Sequence, residues 1–305
     1  MTALAVYTTV YPGVEPFLAD WYASLSRQTD ADFDLWIGLD VLDIAAATAA
    51  MGGEPDAIWV SGRPGDTPGS LRQRALARLV ERHALVVLVD SDDVLHPSRV
   101  ATARAMLAGH DLVGCPLRIV DERGANLGMT FAPPAGQDPE AVFPRTNMYG
   151  LSNSAVRADV LARCLPIPSE AVLVDWYLAT RAWLFGARFA FGDRVEMDYR
   201  QYGTNTARVC GPYSAAQVAE DTDRVAAHYD LVRASDLRDA RPERLAALDA
   251  AAEEVDTFKT RVVERGDVLG RYIGALNELG TTMLWWAWVA HPSLRHLWAT
   301  EEGEK

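Results

Sequence analysis

Residues 84–99 read ALVVLVDSDDVLHPSR. Residues 85–89 are apolar and mostly β-branched, the composition of a strand buried on both faces. The run stops at Asp90, Ser91, Asp92 and Asp93, and Pro97 suits the first position of a following helix. The acids therefore gather at the carboxyl end of a buried strand, where open α/β sheets hold their ligands. Carboxylates this close repel one another unless a cation or buried donors offset the charge. Mg2+ is typically held by one or two carboxylates plus substrate phosphates, so a divalent ion carrying a phosphate ligand suits the cluster. The plainer role for such acids is to cap the next helix, for which one carboxylate suffices.

Strands and helices alternate upstream of this stretch. Leu4–Val10 reads as a strand, and residues 14–27 as a helix with Phe17, Trp21 and Leu25 at four-residue spacing. Residues 33–39 form a second strand ending at Asp40, and residues 57–60 a short third one. A Gly/Pro-rich loop over 61–69 precedes a helix over 70–83. This alternation implies a mostly parallel sheet with helices on both faces. Further on, residues 111–121 read as a strand, 122–124 as a turn, 131–149 as a loop over the site, 172–185 as a helix and 188–199 as a strand or strand pair. From 214 onward the chain reads as helical, and Leu245, Leu248, Ala252, Val255, Phe258 and Val262 form one apolar stripe. The expected division is 1–213 for the α/β domain and 214–305 for a helical extension.

The 305 residues, 49% hydrophobic, can fill one large core with an appendage. A formal charge of -13 argues against a nucleic-acid groove but leaves room for local arginines on a phosphate. Cys115, Cys164 and Cys210 show no CxxC spacing, which suggests reduced, buried thiols in a cytoplasmic protein. No signal-peptide pattern opens the chain, and no apolar run reaches the roughly 18 residues of a membrane span. Residues 283–290, MLWWAWVA, are too short to span. Tryptophan favours membrane interfaces, but no dense basic face adjoins the segment, so packing in the core or in a homodimer is expected.

Several features converge on phosphate and leaving-group chemistry. Asp40 shares a sheet edge with Asp90 if the strands are parallel, and suits contacts to a base or ribose as well as it suits a solvated turn. The helix start Gly69-Ser70-Leu71-Arg72-Gln73-Arg74 offers backbone N–H groups and arginines to an anion, although such arginines also solvate exposed helix faces. Arg200, in Tyr199-Arg200-Gln201-Tyr202-Gly203-Thr204-Asn205, precedes a loop suited to closing over a diphosphate. Asp175 lies among apolar and aromatic residues at a helix start. Partial burial there raises its proton affinity toward that of a general base, and the competing role is a helix N-terminal acid.

In this order, the segments resemble a family 2 glycosyltransferase of the GT-A fold. Gly69…Leu71-Arg72-Gln73 resembles that family's Gly…Ala-Arg-Asn helix start, Asp90-Ser91-Asp92 its Asp-x-Asp, Val174-Asp175-Trp176 its acidic base pair, and residues 199–205 its Tyr-Arg-x-His-x-x-Asn loop. The resemblance covers residues 1–210. It implies metal-dependent transfer of a sugar from a nucleoside-diphosphate donor to an acceptor hydroxyl, with inversion. Asp175 is then the base, and Asp92 with Asp90 holds Mg2+ or Mn2+ on the diphosphate. Arg200 and Arg72 share that work, and Asp40 with the backbone near Thr8 and Tyr11 reads the nucleoside. Gln73 stands for the usual asparagine, Val174 replaces the first acid of the pair, and Tyr202 replaces a histidine that binds metal in some relatives. A nucleotide-processing enzyme on a similar sheet would carry a lysine after the first strand, where the chain reads Thr8-Thr9-Val10-Tyr11-Pro12-Gly13. A relative that binds without turnover is the other alternative. The sugar, the base and the acceptor have no motif.

Overall fold

The computed structural model describes residues 3–134, 136–203, 205–207, 209, 211–279 and 284–299; Thr204, Cys210 and Met283 of the segments above lie outside them. In chain order β1 (Leu4–Val10), α1 (Leu18–Ser26), β2 (Asp34–Leu39), α2 (Ile44–Met51), β3 (Ala57–Ser61), α3 (Pro68–Val80) and β4 (Leu85–Leu88) alternate. β1 pairs in parallel with β2 and β4, and β2 with β3. All seven residues of β1 are buried, so helices cover both faces there. Helix α3 starts cleanly: the Thr67 side chain accepts the Ser70 N–H, Pro68 takes the first turn, and Leu71, Ala75, Leu76 and Leu79 form the buried stripe.

The chain continues through β5 (Val94–Leu95), α4 (Arg99–Leu107), β6 (Leu112–Gly114), β7 (Leu117–Val120), β8 (Asn126–Phe131), β9 (Ser154–Arg157), α5 (Ala158–Cys164), α6 (Val174–Leu184), β10 (Phe189–Phe191) and β11 (Met197–Arg200). The seven-stranded sheet runs β10-β6-β9-β4-β1-β2-β3, and β9 alone is antiparallel to its neighbours. From β1 the order proceeds to β2 and β3 on one side and to β4 on the other. The ends of β1 and β4 thus flank a topological switch point. The strands β5-β11-β7-β8 form a second, four-stranded sheet.

Two local expectations change. Pro97 does not open a helix: Val94–Leu95 first pairs with Met197 and Asp198, so α4 begins only at Arg99 with Ser98 as its cap. The strand expected over 111–121 is two strands in different sheets, broken where Pro116 lacks the N–H needed to continue a ladder. Short β9, inserted between β4 and β6, has no sequence signal strong enough to announce it. The described cysteines Cys115 and Cys164 are buried and free, as small apolar residues.

The C-terminal part is helical through α7 (Ala215–Ala234), α8 (Pro242–Phe258), a π turn at Lys259–Val263 and α9 (Gly266–Glu278). Leu248, Ala252, Val255, Phe258 and Val262 of the expected stripe are buried. The tryptophan-rich segment packs into this chain's own core. The Trp288 indole donates to Asp221 at 2.8 Å, and Trp285 pairs with Asn147 through the backbone. No helix among the described residues is long and apolar enough to cross a membrane. Gly150 makes room for the Trp285 ring, since a Cβ there would lie 2.5 Å from its Cη2. Gly150→Ala is expected to lower stability by about 1–3 kcal/mol through overpacking, read as a lower urea midpoint at unchanged m-value.

Candidate active site

A cleft of about 820 Å³ opens at the carboxyl ends of β1, β2 and β4, a size ordinary for ligand sites. Tyr11, Asp40, Arg72, Asp90, Asp92 and Asp175 all line it. Parallel pairing explains why residues 11, 40 and 90 meet: each comes just after its strand at the same sheet edge. Thr8 and Arg200 do not line it. Thr8 is buried within β1, and its neighbour Thr9 reaches the cleft instead.

Arg200 is buried behind the acidic turn. Its backbone N–H donates to Asp93 Oδ1 and its Nε to the Asp92 carbonyl, both at 2.9 Å. Its Nη1 donates to the Glu122 carbonyl and its Nη2 to Asp20, and the guanidinium lies 4.7 Å from the Phe17 ring. With these donors committed, it supports the turn rather than facing a ligand. The same contacts draw Asp93 out of the cleft.

The two carboxylates of the turn that remain at the cleft accept hydrogen bonds from neutral groups only, among the described residues. Ser152 Oγ donates to Asp90 at 2.7 Å, and Tyr202 Oη to Asp92 at 2.7 Å, with Tyr11 Oη 3.4 Å from the same oxygen. Burial, with the neighbouring Asp90 charge, pushes Asp92 up to about 6. Burial also raises Asp90, partly offset by Arg72. Two hard oxygen donors, desolvated and without an ion pair, fit a hard divalent cation that also takes phosphate oxygens. Among the described residues no group of three or more His, Cys, Asp or Glu side chains gathers as a metal cluster, so any such ion depends on its ligand for further coordination. Tyr202 stands where the resemblance expects a histidine, and it binds Asp92 instead.

Arg72 is the cationic side chain lining the cleft among the described residues. Its Nε is buried and has no hydrogen-bond partner among the described residues. Arg74, by contrast, is spent on Asp66 and the Ser61 carbonyl. The helix start itself is architectural. A Cβ on Gly69 would lie 3.0 Å from the Pro168 carbonyl, and Gln73 Oε1 accepts the Ile167 N–H at 2.7 Å. Both dock the segment that delivers Asp175 at the first turn of α6. Asp175 is raised to about 6, chiefly by burial.

Sequence alone leaves Ser152 and Asn147 unnamed and reads the tryptophans of 283–290 as packing residues, with acceptor contacts expected only in general from residues 125–150 and the tail. Ser152, Trp285 and Trp286 line the cleft, and Asn147 donates to Asp175. Polar residues in a loop have no period to reveal them, and the tryptophans arrive from more than a hundred residues away.

The burial of Asp175 has a stability consequence. Its folded pKa lies above the ordinary 3.8, so the folded chain keeps a proton that the unfolded chain releases between about pH 4 and 6. Stability from this group is whole below that window and falls as pH rises through it. Asp175→Asn is therefore expected to be more stable than wild type by roughly 1–3 kcal/mol at pH 7.5, and equal to it near pH 4, in urea unfolding.

No protein-family model matches the chain, and no curated protein is significantly similar in sequence. Solved structures are similar in fold. One is TarS residues 1–349 of S. aureus in complex with UDP-GlcNAc, at TM-score 0.57 and 16% identity, covering 88% of this chain and 76% of that one. Another is the mannosyltransferase PcManGT of Pyrobaculum calidifontis in complex with GDP-Man and Mn2+, at TM-score 0.56 and 16% identity, covering 98% and 88%. With its seven-stranded mixed sheet and helical surround, the chain has the GT-A fold of these glycosyltransferases.

Proposed function

We propose that this chain is a family 2 inverting glycosyltransferase, moving a sugar from a nucleoside diphosphate to an acceptor hydroxyl. The observation that carries this reading is one cleft holding both the Asp90–Asp92 pair, without an ion pair among the described residues, and a buried Asp175. Two similar structures bound to UDP-GlcNAc and to GDP-Man with Mn2+ support the donor class. Residues 1–213 form the catalytic domain on this reading, and 214–305 an extension that lends it Trp285 and Trp286.

Asp40, Tyr11 and the backbone at Thr9 line the end of the cleft suited to the nucleoside. Asp90 and Asp92 would hold Mg2+ or Mn2+, and the ion would supply positive charge to offset the charge developing on the departing diphosphate. Arg72, whose Nε has no partner among the described residues, places its guanidinium on a phosphate oxygen, adding a fixed positive charge in a site of low dielectric. Asp175 takes the proton of the acceptor hydroxyl as that oxygen attacks the anomeric carbon from the face opposite the leaving group. The bond to the diphosphate oxygen breaks as the new glycosidic bond forms. A pKa near 6 leaves the carboxylate ionised at neutral pH yet basic enough to accept that proton.

Thermal shift with UDP-, GDP- and TDP-sugars, each with and without Mn2+, is expected to show one donor raising Tm more with the ion than without. Asp92→Ala should abolish the metal-dependent increment, while Glu122→Ala keeps it. Asp175→Ala should keep donor binding and lose turnover by at least about a hundredfold. Binding in wild type without transfer or donor hydrolysis, across a broad acceptor panel, would assign the chain to the non-catalytic reading.

A further inference from the structure

Asp175 does not stand alone at the start of α6. Asn147, wholly buried, donates from Nδ2 to Asp175 Oδ2 at 3.0 Å. The Asn147 amide has one orientation open to it. Its Oδ1 accepts the Tyr149 N–H at 2.9 Å while Nδ2 also reaches the Tyr149 carbonyl at 3.3 Å. Flipping the amide would set an NH2 against an N–H donor and an oxygen against a carboxylate, so both ends forbid it.

The backbone of Asn147 is held in turn by the far end of the chain. Its N–H donates to the Trp285 carbonyl at 3.1 Å. The Trp285 ring packs 4.2 Å from Phe131 and edge-on to Tyr199 at 5.8 Å, in the space that Gly150 leaves open. The next residue, Trp286, has φ of 71°, a left-handed conformation that a bulky residue adopts only when its surroundings impose it. Its ring lies parallel to that of Trp176, the residue after Asp175, at 6.5 Å.

We propose that the segment around Trp285 aims the catalytic carboxylate: Trp285 holds Asn147, and Asn147 commits Oδ2 of Asp175, leaving Oδ1 for the acceptor's proton. Asn147 and Trp285 are then positioning residues for the transfer, and the C-terminal extension is part of the catalytic apparatus. The inference rests on Asp175 being the base. An amide donor favours the ionised carboxylate and restricts its rotation, and a base works only within hydrogen-bond reach of its proton. Besides Asn147, the charged groups acting on Asp175 are Arg72 from α3 and Asp90 from the turn after β4, and the backbone N–H groups of α6's first turn favour its ionised form.

The test tracks the Asp175 side-chain carbon by 13C NMR across pH in the full chain, without any ligand. Asn147→Asp keeps the acceptor for Tyr149 and replaces the donor with a second carboxyl. It should raise the Asp175 midpoint by more than about one pH unit. Asn147→Ser, too short to reach, and Trp285→Leu, which leaves every group around Asp175 chemically intact, should shift it in the same direction by less. A second arm measures hydrolysis of UDP-GlcNAc or GDP-mannose with Mn2+, whichever the wild type turns over. Asn147→Asp should cut kcat at pH 6 about tenfold, move the acid limb of the pH profile upward and leave the donor KM unchanged. Folded Asn147 variants whose Asp175 titrates and works as in wild type would overturn the inference. An unshifted midpoint in Trp285→Leu would remove the tail from it. If Asp175→Asn kept full rate, the reading of Asp175 as base would fall, and the inference with it. An inactive Asp175→Asn beside indifferent Asn147 variants would sink the inference alone.

Discussion

Three carboxylates within four residues must be held at the end of one buried strand, and the rest of the structure answers to that demand. Ser91 ties the turn to the end of β1 through a 2.8 Å hydrogen bond to the Thr9 carbonyl. Arg200 clamps it from the second sheet, Ser152 from the loop before β9, and Tyr11 and Tyr202 from two walls of the cleft. The donors come from distant parts of the chain because no local segment can supply so many. Among the described donors only Arg200 is a cation, and its guanidinium is spent on the Asp92 and Glu122 carbonyls and on Asp20, while its backbone N–H serves Asp93. The pair left at the cleft floor stays desolvated, with no ion pair among the described residues and only the more distant Arg72 charge to offset it, a stability cost of the kind found at functional sites.

The same logic extends to Asp175. It reaches the cleft because Gly69 and Gln73 let residues 167–171 lie against α3, and it is gripped there by an amide anchored to the C-terminal segment. The acidic turn and Asp175 thus belong to one hydrogen-bonded arrangement built from both halves of the chain. Trp176, stacked on a His228 that burial holds neutral with its pKa near 3, ties α6 to α7 as well. The boundary near residue 213 marks a change of secondary structure more than a break in the packing.

The α/β pattern was legible because buried parallel strands read as short apolar runs, and residues 4–10, 34–39 and 85–88 announce themselves in that way. The acidic turn and Asp40 were legible because parallel strands deliver the residues at their carboxyl ends to one edge, and Arg72 because a helix start with a Gly and arginines marks an anion-facing end. Arg200 was misread because its spacing after a strand says nothing of which sheet that strand joins. β11 lies in the second sheet, so its arginine meets the turn from behind. Tyr202 shows the converse: a substitution that looks like a lost ligand is a hydrogen-bond donor to Asp92.

By itself, then, the order of residues determined the strands, the helix starts and the acids that cluster after β4, since each of these depends on local composition and a short period. Tertiary structure alone decided which donors satisfy those acids, how Asn147 meets Asp175 and why four consecutive residues near the C-terminus carry three indoles. Several of those pairings join residues far apart in the chain, as between Asp92 and Tyr202, 110 positions away. Contacts at that separation are chosen by packing, and no local pattern records them.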